Sequence, residues 1–145
     1  MSSSALADRI EGLVHAETQV HEAGVDLTVA SVARVREAGR IDFGGGELEA
    51  ATREPIDPAR RSPADDYGWW DLAEGRYLVT FNERLTGPEP VRIEPRRELA
   101  ARGGSLPTVT TADLDPLALA TPTGVGEGAT LRVKENARIA TARPV

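Results

Sequence analysis

Glycine and proline cut this chain before any helix can run long. Fourteen glycines and ten prolines are spread over 145 residues. Proline removes a backbone donor and glycine gives up the most conformational freedom, so both mark where regular elements stop. What survives between them is short, and much of it alternates. Val25, Leu27 and Val29 alternate with Asp26 and Thr28, the period of a strand, and the phase runs on through Ala33 and Val35 until Gly39. The clearest strand is RYLVTF at Arg76–Phe81, broken by Gly87-Pro88-Glu89-Pro90. Further strands are expected from Val91 and Ile93, in the Thr-rich stretch 107–111, at Leu117 and Leu119, at Leu131 and Val133, and from Ile139 onward. This rhythm predicts a mainly β domain occupying the whole of 1–145.

Two helices decorate it. Leu6, Ile10, Leu13 and Val14 recur at helical spacing behind Ser4 as a cap, so residues 4–17 read as a helix within an N-terminal helical segment, 1–22. RRELAAR, residues 96–102, is a short internal helix stopped by Gly103-Gly104. The triple glycine 44–46 is a turn, and 47–52 a return strand whose composition also allows helix. Residues 53–66, with three prolines and many charges, read as a surface loop. Tyr67, Trp69 and Trp70 then form a dense aromatic cluster, better suited to burial at a seam than to stacking on a base.

Composition narrows the chemistry. Aromatic residues are 4% of the chain against 40% hydrophobic, so Val, Leu, Ile and Ala must build the core. The absence of cysteine excludes disulfides, thiolate metal sites and a cysteine nucleophile. The net charge of −6 disfavours nucleic acid and anionic membranes as partners. No apolar run approaches the roughly 20 residues of a membrane span, and the N-terminus lacks a signal-peptide pattern, so a soluble cytoplasmic protein is expected. Sixteen of the seventeen basic residues are arginine, a bias that a GC-rich genome also produces.

His15-Ala16-Glu17 matches half of the H-x-E…P-C-x-x-C zinc-deaminase signature, but without cysteine the metal half is missing and no metal site is predicted. Two features remain. Arg96, Arg97 and Arg102 bracket the short helix, where guanidinium groups beside free backbone N–H groups can hold phosphate. A solvated basic face with Glu94 and Glu98 explains the same residues. Asp113 and Asp115 follow a threonine run and could orient water or contact a sugar hydroxyl. A turn before Pro116 explains them equally well.

The order of several segments resembles the dCTP deaminase and dUTPase superfamily. QVHEAGVDL at 19–27 resembles the family's Q-x-x-P-A-S-V-D-L. Gly75-Arg76-Tyr77-Leu78-Val79 is similar to its central G-x-[YF]-[VL]-[LV] strand, with Asn82-Glu83-Arg84 at the exit. RRELAARG at 96–103 stands where the family has R-S-S-L-A-R-x-G, and ENARIA at 135–140 resembles the closing G-x-[RK]-I-[AG]-Q strand. The pattern looks closest to a short, acidic branch found in salt-loving archaea. The resemblance implies a distorted β-barrel or jelly roll, a homotrimer with sites between subunits, and a pyrimidine deoxynucleotide substrate. It implies cleavage of dUTP to dUMP and pyrophosphate, deamination of dCTP, or both, with no zinc and with Mg2+ carried by the triphosphate.

Carried over residue by residue, Arg96 matches the phosphate-binding arginine, and Arg102-Gly103 close the same helix. Arg97 and Glu98 replace the two serines, which makes Arg97 a substitute phosphate ligand and Glu98 a candidate catalytic carboxylate. TTADLDP at 110–116 is one residue short of T-T-A-G-[FW]-[IV]-D-P, so Asp115 is the nearest match to its aspartate and Asp113 the register alternative. The deaminase glutamate on the next strand has no counterpart in 117–120, and Thr141 stands for the terminal glutamine. Losing a general acid or base costs about 10²–10⁴ in rate. A dUTP- or dCTP-hydrolysing enzyme is therefore the first reading. A catalytically degenerate relative that binds a nucleotide or protein is the second, and an unrelated β-domain the third.

Overall fold

The computed structural model describes residues 1–145. In chain order its elements are α1 (Ser3–Ala7), β1 (Ile10–Glu11), α2 (Ala16–Gln19), β2 (Val20–His21), β3 (Gly24–Glu37), β4 (Thr52–Ile56), β5 (Trp69–Ala73) and β6 (Arg76–Phe81). β7 (Arg84–Leu85), β8 (Val91–Pro95), α3 (Arg97–Ala101), β9 (Val109–Thr111), β10 (Leu117–Ala120), β11 (Ala129–Lys134) and β12 (Arg138–Pro144) follow. Strand makes up 45% of the chain and helix 10%, so the fold is mainly β, with its sheet curled into a half-barrel.

β3 organises that sheet. Its first half pairs antiparallel with β2 and β12, and its second half with β6 and β4. β8 and β9 extend the sheet beyond β12, and β10 extends it beyond β6. One strand serving two ladders has to coil. The register against β6 shifts between Val29 and Ser31, a bulge that adds bend and twist where the partners change. The pair β5–β11 and the short pair β1–β7 complete the architecture.

The inner face fills with aliphatic side chains, as the low aromatic content requires. Val25, Leu27 and Val29 of β3 meet Val79 and Phe81 of β6 and Val91 and Ile93 of β8. Burying each such side chain contributes roughly 1.5–3 kcal/mol. Trp70 is buried, and its indole N–H donates to the Ile56 carbonyl at 2.8 Å. No helix is long and apolar enough to cross a membrane.

Three expectations are corrected. Residues 4–17 do not form one helix. α1 ends at Ala7, Ile10–Glu11 pairs with Arg84–Leu85, and α2 is a single turn. The cause is Gly12, held at φ +87 where a Cβ would stand 2.6 Å from the Asn82 carbonyl oxygen. The segment expected as a loop from residue 53 begins instead as β4, with Pro55 opposite Ala33. A strand paired on one side only tolerates a proline whose missing N–H faces outward. The return strand expected at 47–52 is reduced to a bridge between Arg40 and Glu49, and the continuous ladder starts at Thr52.

Candidate functional site

α3 sits at the end of β8 and is fixed at both ends. The Arg96 N–H donates to the Ile139 carbonyl at 2.8 Å, which ties the helix start to β12. At the other end Gly103 takes φ +84, its N–H bonds the Ala100 carbonyl at 3.0 Å, and Gly104 N–H bonds the Leu99 carbonyl at 3.1 Å. This is a Schellman termination. With only five residues, α3 contributes little dipole, so positive charge near it comes from side chains.

The centre of the site is Asp26, whose side chain is 1% exposed. The Thr141 hydroxyl donates to its Oδ1 at 2.8 Å, and Arg138 Nη1 donates to its Oδ2 at 3.1 Å. His21 Nε2 lies 2.8 Å from Oδ1, while His21 Nδ1 accepts from the Ala23 N–H at 3.3 Å. That acceptance puts the imidazole proton on Nε2, facing the carboxylate. Arg96 Nε lies 3.6 Å from Oδ2. A buried carboxylate persists when surrounding donors and cations replace its water.

A bulge makes this convergence possible. Arg138 and Thr141 are three residues apart, so a regular strand would point them to opposite faces. In β12 the register against β3 slips between Arg138 and Ala140, and the extra residue, Ile139, brings both side chains to Asp26. The same residue supplies the carbonyl that holds the Arg96 N–H.

Around Asp26 lies a cleft of about 210 Å³, lined by His21, Arg96, Arg97, Glu98, Thr141 and Arg143. Arg96 is the anchored guanidinium. It donates from Nη1 to the Arg138 carbonyl at 3.0 Å, approaches Glu98 Oε1 at 3.3 Å, and keeps 19% of its side-chain exposure. Arg97 is the exposed one, at the lip. Arg143 is held 2.7 Å from Glu94, without a well-directed hydrogen bond from its buried Nε. Polar walls, several guanidinium groups and one sealed carboxylate suit a polyanion more than an apolar ligand.

Of the residues singled out in the sequence, Arg96, Arg97 and Glu98 share this cleft. Arg102 lies beyond the helix, donating to the Glu98 carbonyl at 3.2 Å, and Gly103 forms the turn. Asp113 and Asp115 are exposed in the turn after β9, where Asp113 N–H and C=O both bond the Thr111 hydroxyl. Thr111 pairs with Val91, at the far end of β8 from Arg96. Five residues at about 3.3 Å each put the two groups roughly 16 Å apart within one chain.

Sequence reading missed Asp26, His21, Arg138 and Arg143. The available signal was the V-D-L stretch itself. It also missed Glu83, which is 1% exposed and accepts from Thr28 N–H at 2.7 Å, from the Thr28 hydroxyl at 2.5 Å and from Gln19 Nε2 at 3.0 Å. Gln19 Nε2 also donates to the Asp26 carbonyl at 2.9 Å, so this buried network braces the strand that carries Asp26.

No protein-family model matches the chain. A probable deoxyuridine 5'-triphosphate nucleotidohydrolase of Methanosarcina mazei is 31% identical over 101 residues, covering 68% of this chain and 56% of that protein. Its namesake in Halobacterium salinarum is 33% identical over 84 residues, 58% of this chain and 48% of that one. The crystal structure of 2'-deoxycytidine 5'-triphosphate deaminase from Agrobacterium tumefaciens superposes with a TM-score of 0.59 at 15% identity, covering 99% of this chain and 47% of that chain. The chain is a relative of the dCTP deaminase and dUTPase superfamily. It spans about half the length of the curated relatives it matches. The deaminase comparison supports the fold, and Asp26 and Arg96 stand in the segments whose resemblance to the superfamily the sequence carries.

Proposed function

We propose that this chain hydrolyses dUTP to dUMP and pyrophosphate in the cytoplasm, holding the triphosphate in the Arg96–Arg97 cleft. The observation that carries the reading is the anchored Arg96 beside the exposed Arg97, fixed over a buried Asp26. The relatives named as deoxyuridine triphosphate nucleotidohydrolases supply the substrate class.

In this reaction water attacks the α-phosphorus, the bond to the bridging oxygen breaks, and pyrophosphate leaves. Arg97 and Arg96 offset negative charge on the phosphates as it moves to the leaving group. Both Asp26 oxygens are occupied by donors, so Asp26 positions the guanidinium groups rather than taking a proton. Glu98, with its side chain 56% exposed and Oε1 3.3 Å from Arg96, is the cleft carboxylate whose second oxygen would accept the proton of the attacking water. Magnesium arriving on a triphosphate needs only one or two protein carboxylates, and Glu98 is the one within reach. When bound, the ion screens phosphate charge. Deamination would need an acid or base beside the base ring, and β10, all Leu and Ala, offers none. Hydrolysis is therefore favoured over deamination.

Asp113 and Asp115 fit the reaction only if a neighbouring copy brings them to the cleft, as in the homotrimer that the family resemblance implies. In that arrangement Asp115 contacts the sugar hydroxyl.

Purified protein incubated with dUTP or dCTP plus magnesium tests the reading. Pyrophosphate and dUMP should appear from dUTP, with no ammonia from dCTP. Tight binding without product would instead favour a non-catalytic nucleotide binder. Arg97→Ala should weaken dUTP binding tenfold or more at unchanged melting temperature, and unchanged affinity would remove Arg97 from the site. Arg96→Ala should lower both affinity and stability, because Arg96 also neutralises Asp26.

A further inference from the structure

Between β3 and β4 the chain runs out into a hairpin, residues 38–51, that presents apolar side chains to water. Ile41 is 92% exposed, Phe43 109% and Leu48 61%. Its shape is nevertheless fixed. Arg40 and Glu49 exchange backbone hydrogen bonds of 2.8 and 3.1 Å and pair their side chains at 2.9 Å. The Asp42 carboxylate accepts from Gly45 N–H and Glu47 N–H, each at 3.1 Å. A Cβ on Gly39 would stand 2.4 Å from the Glu49 carbonyl oxygen, so the hairpin neck closes on a glycine. Ordered apolar side chains facing solvent are a prepared contact surface.

A matching groove lies on the side of α3 away from Asp26. Leu99, Leu131, Val133, Ile139 and Trp69 line about 220 Å³, with Arg102 and Lys134 at the rim, Arg132 there 3.4 Å from the exposed Asp71, Arg138 turned to Asp26, and Glu98 as the only acid of the lining. The hairpin carries Asp42, Glu47 and Glu49 against Arg40. An apolar, acidic tip thus faces an apolar, basic groove. Within one chain the two do not meet, since Ile41 and Phe43 stay almost fully exposed. Gly44 and Gly46 at the tip have no neighbours within 4 Å.

We propose that the 38–51 hairpin of one copy docks in the Trp69–Leu99–Val133 groove of a second copy, with Phe43 entering the cavity and Asp42 and Glu47 meeting the Arg132 and Lys134 rim. Tip and groove are different surfaces, so the contact is heterologous and propagates head to tail until a ring closes. Because Arg132 is exposed and Lys134 partly so, association should weaken as salt rises.

The absence of cysteine makes a direct test possible. Phe43→Cys and Arg132→Cys proteins, mixed and oxidised, should give a disulfide-linked heterodimer in preference to either self-linked species. Light scattering should show wild type as an oligomer and Phe43→Asp dissociating at concentrations at least tenfold higher than those that dissociate wild type. Because the Phe43 side chain is fully exposed, that variant should keep its melting temperature below the dissociation limit. Glu47→Arg and Lys134→Glu should each weaken assembly, and the two changes combined in one chain should restore it. A wild type monomeric at all concentrations overturns the proposal. So does an oligomer indifferent to Phe43→Asp, or a tip captured by another protein instead.

Discussion

Asparagine at position 26 removes one negative charge and keeps the shape of the side chain. In the folded chain that side chain is 1% exposed and receives the Thr141 hydroxyl, Arg138 and His21 at 2.8–3.1 Å, with Arg96 at 3.6 Å. An amide oxygen still accepts from Thr141, but the amide nitrogen then faces Arg138 as a second donor. Breaking a buried ion pair by removing one partner costs about 3–5 kcal/mol when the stranded charge is sealed from water. Here Arg96 and Arg138 retain 19% and 37% of their side-chain exposure, so water recovers part of that loss. Charge-assisted hydrogen bonds contribute about 1.5–3 kcal/mol each. Asp26→Asn should therefore cost about 2–3 kcal/mol, which in a chain of this size lowers the melting temperature by roughly 5–10 °C. Urea unfolding followed by the fluorescence of buried Trp70 measures it. A double-mutant cycle with Arg138→Gln should show coupling of at least about 1 kcal/mol. An unchanged urea midpoint, or strict additivity in the cycle, would refute the claim that Asp26 is the counter-ion holding the cleft together.

If the active site is shared between copies, Arg97→Ala and Asp115→Ala, each depressed in turnover at limiting dUTP, should regain part of the wild-type rate when mixed; a mixture no better than its components would place both residues in one copy's site or remove Asp115 from it. Glu83→Gln should destabilise by about 1–3 kcal/mol, because its new amide donor must oppose the Thr28 or Gln19 donors now converging on the carboxylate, and a neutral effect in thermal unfolding would contradict that network. Burial holds the Tyr77 hydroxyl above its ordinary value of 10.0, against the pull of Arg34 and Arg36. A folded value raised in this way stabilises fully below pH 10 and is lost as pH rises through the folded value. Tyr77→Phe should thus flatten the fall in melting temperature above pH 10, while losing about 1 kcal/mol at neutral pH with the bond to the Ala73 carbonyl. Parallel pH profiles for the two proteins would contradict it.

The strands and the helix at α3 were legible because local rules decide them. Alternation gives RYLVTF, and Gly103 can take the left-handed turn that ends RRELAA. The site was half legible. Arg96, Arg97 and Glu98 are neighbours in sequence, so one segment reveals them. Asp26 was not, because its alternation with Val25 and Leu27 predicts a wet face, and apart from His21 the residues that seal that face, Arg96, Arg138 and Thr141, lie some 70 to 115 positions away. The bulge at Ile139 is equally invisible to periodicity, since it violates the period it would be read from. The N-terminal segment misled for a related reason. Leu6 and Ile10 are buried at helical spacing, yet Gly12 pressed against Asn82 divides the turns. β4 was hidden by prolines that an outer strand can carry.

β12 is the last strand in sequence yet lies between β3 and β8. During synthesis β3 leaves the ribosome about a hundred residues before the partner that joins it to β8. Until residues 138–144 emerge, both flanking strands expose unpaired edges on the nascent chain, and the curl has no keystone. Folding should therefore wait for β12 and be slow for the chain's size, since its decisive contacts are so distant in sequence. Ribosome-stalled chains lacking that segment should stay protease-sensitive, however much upstream sequence has been made.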